Sequence, residues 1–166
     1  MALTEIMKKY HVAPAQINLE ITETAAAHSD MLENNIKILH KQGIEFSLDD
    51  YGSGYSNTDY LFRFPFRIVK IDKTILWEAF KNEKAMIALR NTIRMIKELG
   101  LEIVVEGVEN QEYVDYLTEQ HCNYLQGYFY SKPIPDRDFL ELLRRENAQY
   151  YAERFSKNEL SDIITT

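Results

Sequence analysis

The sequence is poor in the residues that build thiolate and imidazole sites. It holds one cysteine, Cys122, so no disulfide closes within the chain and no cysteine-based metal site can be assembled from one copy. Its four histidines, His11, His28, His40 and His121, are scattered with no His-x-x-x-His pair, and core or surface roles suit them better than metal ligation. No apolar run approaches the roughly 18 residues of a membrane span. The start, Met-Ala-Leu-Thr-Glu, lacks the basic and apolar regions of a signal peptide. Basic charge is also short. The 19 Lys and Arg against 26 Asp and Glu leave a net charge of −7, which argues against a partner that is a nucleic-acid polymer, because such binders need a basic face to release counterions. The expectation is a cytoplasmic protein with no membrane segment.

What is present suffices for a core. Of 166 residues, 45% are hydrophobic, while charged residues at 27% are ordinary for a globular chain. Ile17, Leu19 and Ile21 alternate as a strand does. Asp30 and Glu33 read as a capping box for a helix carrying Leu32, Ile36 and Leu39 on one face, with Gly43 ending it. Ile44, Phe46 and Leu48 alternate again, and a short Gly/Ser-rich loop follows from Tyr51 to Asn57, too short to divide domains. Ile68 to Ile71, Leu101 to Val105 and Tyr124-Leu125 read as further strands. Between them lie helices marked by Ala85, Leu89, Ile93, Ile96 and Leu99, closed by Gly100, and by Val114 and Leu117. A last helix is expected from Asp136 to about Ser156, with Phe139, Leu142 and Leu143 inward, and then a polar tail over 157–166 that frays. Five strands separated by helices imply βαβ units and a parallel α/β sheet.

Polar groups recur at the strand ends: Glu20 and Glu23, Asp49 and Asp50, Lys70 and Asp72, Glu106 and Glu109, then Gln126. In parallel α/β folds these ends form one rim, where sites are built. Any one of these acids reads equally as a helix cap or a surface ion pair. Gathered on one rim they repel, at on the order of 1 kcal/mol per pair 4 Å apart in water. Cations relieve such a cluster, and an all-oxygen set suits Mg²⁺, Mn²⁺ or Ca²⁺. A lysine in the ring could hold a nucleophilic water or offset developing phosphate charge. Other signals are weaker. Gly52-Ser-Gly54 lacks the third glycine of a dinucleotide fingerprint and follows two aspartates; Ser53 and Ser56 lack a nucleophile-elbow setting; Tyr128, Phe129 and Tyr130 read as core before they read as a base-stacking surface.

Taken together, Leu19-Glu20-Ile-Thr-Glu23, Asp49-Asp50-Tyr-Gly-Ser-Gly-Tyr-Ser56, Val69-Lys70-Ile-Asp72-Lys73, Val105-Glu106-Gly-Val-Glu109 and Gln126-Gly-Tyr-Phe-Tyr-Ser-Lys-Pro133 resemble, in order and spacing, the successive motifs of EAL domains. The resemblance runs to about Leu143. It implies a barrel-type phosphodiesterase of the bacterial signalling molecule cyclic di-GMP, hydrolysing it to pGpG with two divalent metals, Mg²⁺ or Mn²⁺. By position it implies metal ligands at Glu20, Asp49, Asp50 and Glu106. Lys70 and Gln126 become water-orienting catalytic groups beside Glu106, Glu23 the anchor of the loop after Asp50, and Glu109 a support of the site.

Two features of the family are absent. No Glu-Ala-Leu triplet occurs, and the metal-binding Asn that the family places ahead of the segment matching Glu20 has no counterpart. Tyr51 also replaces the usual Phe, and Asn57-Thr58-Asp59 replaces a more apolar stretch. The expected fold is therefore an incomplete TIM-like barrel of about five parallel strands with flanking helices over residues 1–156, truncated at its N-terminal side, since a closed barrel takes about 250 residues. An uncovered apolar inner face and open edges predict a homodimer or other self-association. The isolated chain is expected to be inactive unless the missing ligands come from elsewhere. The alternative is a non-catalytic interaction, oligomerisation or cyclic di-GMP-sensing module of the same fold.

Overall fold

The alternating and β-branched runs form five parallel strands in strictly sequential order, β1-β2-β3-β4-β5. They are β1 (Asn18–Thr22), β2 (Glu45–Tyr51), β3 (Ile68–Ile71), β4 (Glu102–Val105) and β5 (Tyr124–Leu125). The computed structural model describes residues 3–26, 30–54 and 58–154. Parallel neighbours need crossover connections. These are α2 (Glu23–Ala26) and α3 (Asp30–His40) after β1, α4 (Asp59–Arg63) after β2, α5 (Lys73–Ala79) and α6 (Glu83–Glu98) after β3, and α7 (Gln111–Glu119) after β4. Helix α1 (Leu3–Lys9) precedes β1 and α8 (Asp136–Arg154) follows β5. A doubly wound sheet reverses its strand order at a switch point. This one never does, so it forms an arc of a (β/α) barrel, as the sequence predicts. The chain divides into compact units after Tyr130; the sheet belongs to the first and α8 to the second.

Helix ends are set locally. Asn82 and Asn110 cap α6 and α7 by accepting backbone N–H groups, and Asp72 does the same for α5 through Thr74 N at 2.9 Å. At the other ends, Gly100 and Leu101 donate to the carbonyls of Lys97 and Ile96, and His121 and Cys122 repeat the pattern on Thr118 and Leu117. His121, and His11 after α1, take positive φ there. Two of the four histidines are thus helix terminators. The Asp30 side chain of the expected capping box lies outside the described residues, and only its Glu33 partner is placed. The Glu33 carboxylate reaches Lys37 and Arg63, each at 2.6 Å, because α4 brings an arginine within range.

The two faces of the sheet differ completely. Phe46, Leu48, Val69, Ile71, Ile103 and Val105 are buried on the helix side with Ile36, Leu76, Leu89, Ile93, Ile96 and Leu117. Strand alternation sends the other residues to the opposite face. There Ser47 Oγ donates to Asn18 Oδ1 at 2.7 Å, and Arg67 bridges Glu45 at 2.6 Å and Glu102 at 3.2 Å. The expected apolar inner face is therefore corrected: this face is mainly polar, with Ile68 and Val104 its apolar members. The alternation that fills the helix side with aliphatics puts Glu20, Ser47, Asp49, Lys70 and Glu102 here. Phe139 and Leu143 on α8 are also exposed rather than inward. The tail 157–166 lies outside the described residues.

The loop after β5 crosses the turn after β4 very closely. A Cβ on Gly127 would sit 2.0 Å from the Val108 carbonyl oxygen and 2.3 Å from its nitrogen, both backbone atoms that cannot yield. Gly127→Ala is expected to cost about 1–3 kcal/mol by overpacking, read by urea denaturation. Gly54→Ala, where nothing lies within 4 Å, is expected to stay within about 0.5 kcal/mol.

Candidate metal and catalytic site

Lys70 projects from β3 onto the polar face, and its residue is 8% exposed. Its Nζ lies 2.7 Å from Asp49 Oδ1, 2.9 Å from Glu106 Oε1 and 3.1 Å from Glu20 Oε1. These acids come from β2, the end of β4 and β1. The register explains the convergence: Glu20 pairs with Ser47, Thr22 with Asp49, and Lys70 with Val104, so all four side chains emerge on one face at the C-terminal rim. Burial pushes the Lys70 pKa down, but the hydrogen bonds it donates to Asp49, Glu106 and Glu20 outweigh that and hold it above the ordinary lysine value. A lysine held above its unfolded pKa contributes its stabilisation fully below that pKa and loses it only as pH rises through the folded one. The ammonium therefore stays charged across the neutral range.

Asp50 joins the cluster through a bulge. Leu48 pairs with Val69 and Tyr51 with Ile71, so β2 spends one residue more than β3. Asp50 takes φ 57° there, a region that Asp tolerates better than most residues. The extra residue breaks the strict alternation that would send adjacent acids to opposite faces. Asp49, Asp50 and Glu106 each offer an oxygen within 4.8 Å of the others. With Glu20 this makes four carboxylates against one ammonium. The donors are hard oxygens, and among the described residues no His or Cys joins them. Such a set fits Mg²⁺, Mn²⁺ or Ca²⁺.

The remaining predicted residues fall into three places. Glu23 is buried at the start of α2, and its Oε2 accepts from Gly52 N at 3.4 Å. Burial first, and the Glu23 charge second, push the neighbouring Tyr51 hydroxyl up from its ordinary pKa. Of the loop that follows, Tyr55, Ser56 and Asn57 lie outside the described residues. Glu109 and Gln126 line a cleft of about 310 Å³ that opens beside Glu106. Asp72, grouped with the rim acids by sequence, is spent on capping: it accepts from the backbone and hydroxyl of Thr74.

Lys73, Trp77 and Tyr128 line the same cleft, and sequence reasoning assigned none of them to the site. A signal existed for two. Lys73 opens a helix directly after a rim strand, and Trp77 lies one turn on, at the i,i+4 spacing that shares a face.

A family model for the EAL domain matches residues 1–133. The chain belongs to the EAL domain family. It is 33% identical over 141 residues to the cyclic di-GMP phosphodiesterase RocR of Pseudomonas aeruginosa, covering 84% of this chain and 36% of that protein. The EAL domain of Mycobacterium smegmatis DcpA superposes with a TM-score of 0.79 at 30% identity, over 86% of this chain and 65% of that one. Klebsiella pneumoniae BlrP1, solved with manganese and cyclic di-GMP, superposes with a TM-score of 0.73 at 27% identity, over 79% of this chain and 34% of that one. The chain thus spans about a third of RocR and BlrP1 and under two thirds of the DcpA domain. The EAL neighbours share the TIM-like barrel of which these five strands form an arc.

Removing the central cation should expose the repulsion it masks. Lys70→Met is expected to cost about 2 kcal/mol at pH 7.5, between the values for exposed and buried pairs. The loss should be smaller at pH 4.5, where carboxylates begin to take up protons, although Lys70 itself does not titrate in that range. Urea denaturation at the two pH values measures the difference.

Proposed function

We propose that this chain carries the part of an EAL phosphodiesterase site that binds divalent metal and cyclic di-GMP for hydrolysis to pGpG. The observation that supports it most is the convergence of Glu20, Asp49 and Glu106 on Lys70, with Asp50 folded in by the bulge. Glu20, Asp49, Asp50 and Glu106 would hold Mg²⁺ or Mn²⁺, in a two-metal arrangement. When bound, such ions lower the pKa of water and clamp the attacking and leaving oxygens of a phosphodiester.

The chain's own residues do the rest. Lys70 keeps a fixed positive charge and N–H donors at the rim, where water is held and phosphate charge develops. Gln126, at the cleft, adds a neutral donor and acceptor to orient that water. Glu23 anchors the loop after Asp50 through Gly52, and Glu109 shapes the cleft wall. The domain so proposed covers residues 1–156 and works in the cytoplasm; among the described residues, no helix is long and apolar enough to cross a membrane.

Turnover needs ligands that the sequence does not contain, the Glu of Glu-Ala-Leu and the Asn. The isolated chain is therefore expected to bind Mn²⁺ without releasing pGpG above a Lys70→Ala control. Asp49→Asn should weaken Mn²⁺ binding about tenfold or more, read by calorimetry. Equal affinity in wild type and Asp49→Asn would remove the metal reading. Rapid pGpG release would show that the residues present suffice. Cyclic di-GMP affinity without hydrolysis would favour the second reading, a sensing or interaction module.

Self-association is proposed through strand edges, since among the described residues β1 and β5 each pair on one side only. Light scattering should show a species larger than one chain; a monomer at all concentrations would contradict this.

A further inference from the structure

Glu106 sits in a turn whose backbone is pinned from three sides. Its own N–H donates to the Ile71 carbonyl at 3.0 Å, and the Val108 N–H donates to the Gln126 carbonyl at 3.0 Å. Between them, the Gly107 carbonyl accepts from Trp77 Nε1 at 2.8 Å. An indole N–H only donates, so it needs an acceptor wherever the ring is removed from water. Gly107 takes φ +72°, and a Cβ there would lie 2.3 Å from Lys73 Cβ and 3.0 Å from Trp77 Nε1. The turn therefore lies directly against Lys73 and Trp77 of α5. On the Trp77 ring, Lys73 Nζ stands 5.5 Å from the centroid, a cation–π contact that holds the indole in place.

We infer that Trp77 is a positioning residue for Glu106, acting through the Gly107 carbonyl. Glu106 must place one oxygen 2.9 Å from Lys70 and within 4.8 Å of Asp49 and Asp50. Without the indole donor, the 107–108 peptide keeps only the Val108 N–H bond to Gln126, and the turn that carries Glu106 is held less firmly. Ligand orientation by a hydrogen bond one step removed is a recognised determinant of metal affinity, worth about 10–100-fold. The inference rests on reading Glu106 as part of the metal-binding rim, and its test separates the two.

Trp77 is the sole tryptophan. Biosynthetic replacement by benzothienylalanine therefore changes one site only and exchanges the N–H for sulfur while keeping the ring. Mn²⁺ affinity is measured for wild type, the benzothienylalanine protein and Trp77→Phe. Thermal unfolding is measured for Trp77→Phe, Glu106→Gln and the double variant. Affinity should fall about tenfold in both proteins that lack the donor, and the Tm loss from Trp77→Phe should shrink by half or more once Glu106 is Gln. Additive Tm losses, or Mn²⁺ affinity unchanged without the donor, would overturn the inference. If wild type itself takes up no Mn²⁺, the metal reading fails, and the unfolding cycle alone decides whether Trp77 acts through Glu106.

Discussion

One buried ammonium organises this structure. Lys70 stands on a central strand and holds carboxylates from β1, β2 and β4 within 3.1 Å. The sequential parallel order makes this possible, because every strand delivers its C-terminal end to the same rim. An ion cluster of this kind adds little net stability after desolvation. Its value lies in geometry, since it fixes where three carboxylates meet. The Asp50 bulge and the Trp77 clamp serve the same rim, one by re-aiming an acid and the other by holding the turn beneath another.

The opposite character of the two sheet faces gives the fold its logic. Aliphatic side chains on one face pack against helices and supply the burial that stabilises the chain. The second face is layered by charge, with Glu45–Arg67–Glu102 near the strand starts and the Lys70 cluster near their ends. A face lined this way is suited to water and ions. This face itself gives no general hydrophobic drive for copies to cover one another.

Much of this was legible in the sequence. The five strands are read from β-branched runs and period-two alternation, and the rim acids follow once the strands are parallel, because each sits just past an apolar run. What could not be read depends on tertiary geometry. Asp49-Asp50 alternate in sequence, and only the extra residue of β2 against β3 brings both to one side. Asp72 has the same position relative to its strand as Glu106, yet it faces the start of a helix and is used to cap it. Trp77 carries no motif, and its role comes from a glycine 30 positions away that approaches α5. The polar inner face was hidden for a simpler reason: a short strand with apolar residues on one face reads as apolar unless its alternate positions are followed as a set.

The rim, and not some other acidic patch, is where divalent cations are expected to gather. Paramagnetic broadening of backbone amides by sub-stoichiometric Mn²⁺ tests it most directly, because the effect falls steeply with distance. The rim acid Asp49 and the lower-layer Glu45 are four residues apart on one strand, roughly 13 Å. Amides of Glu20, Asp49, Asp50, Lys70 and Glu106 are expected to vanish first while those of Glu45, Arg67 and Glu102 persist. Broadening that begins in the lower layer, or spreads evenly over the acidic surface, would contradict it.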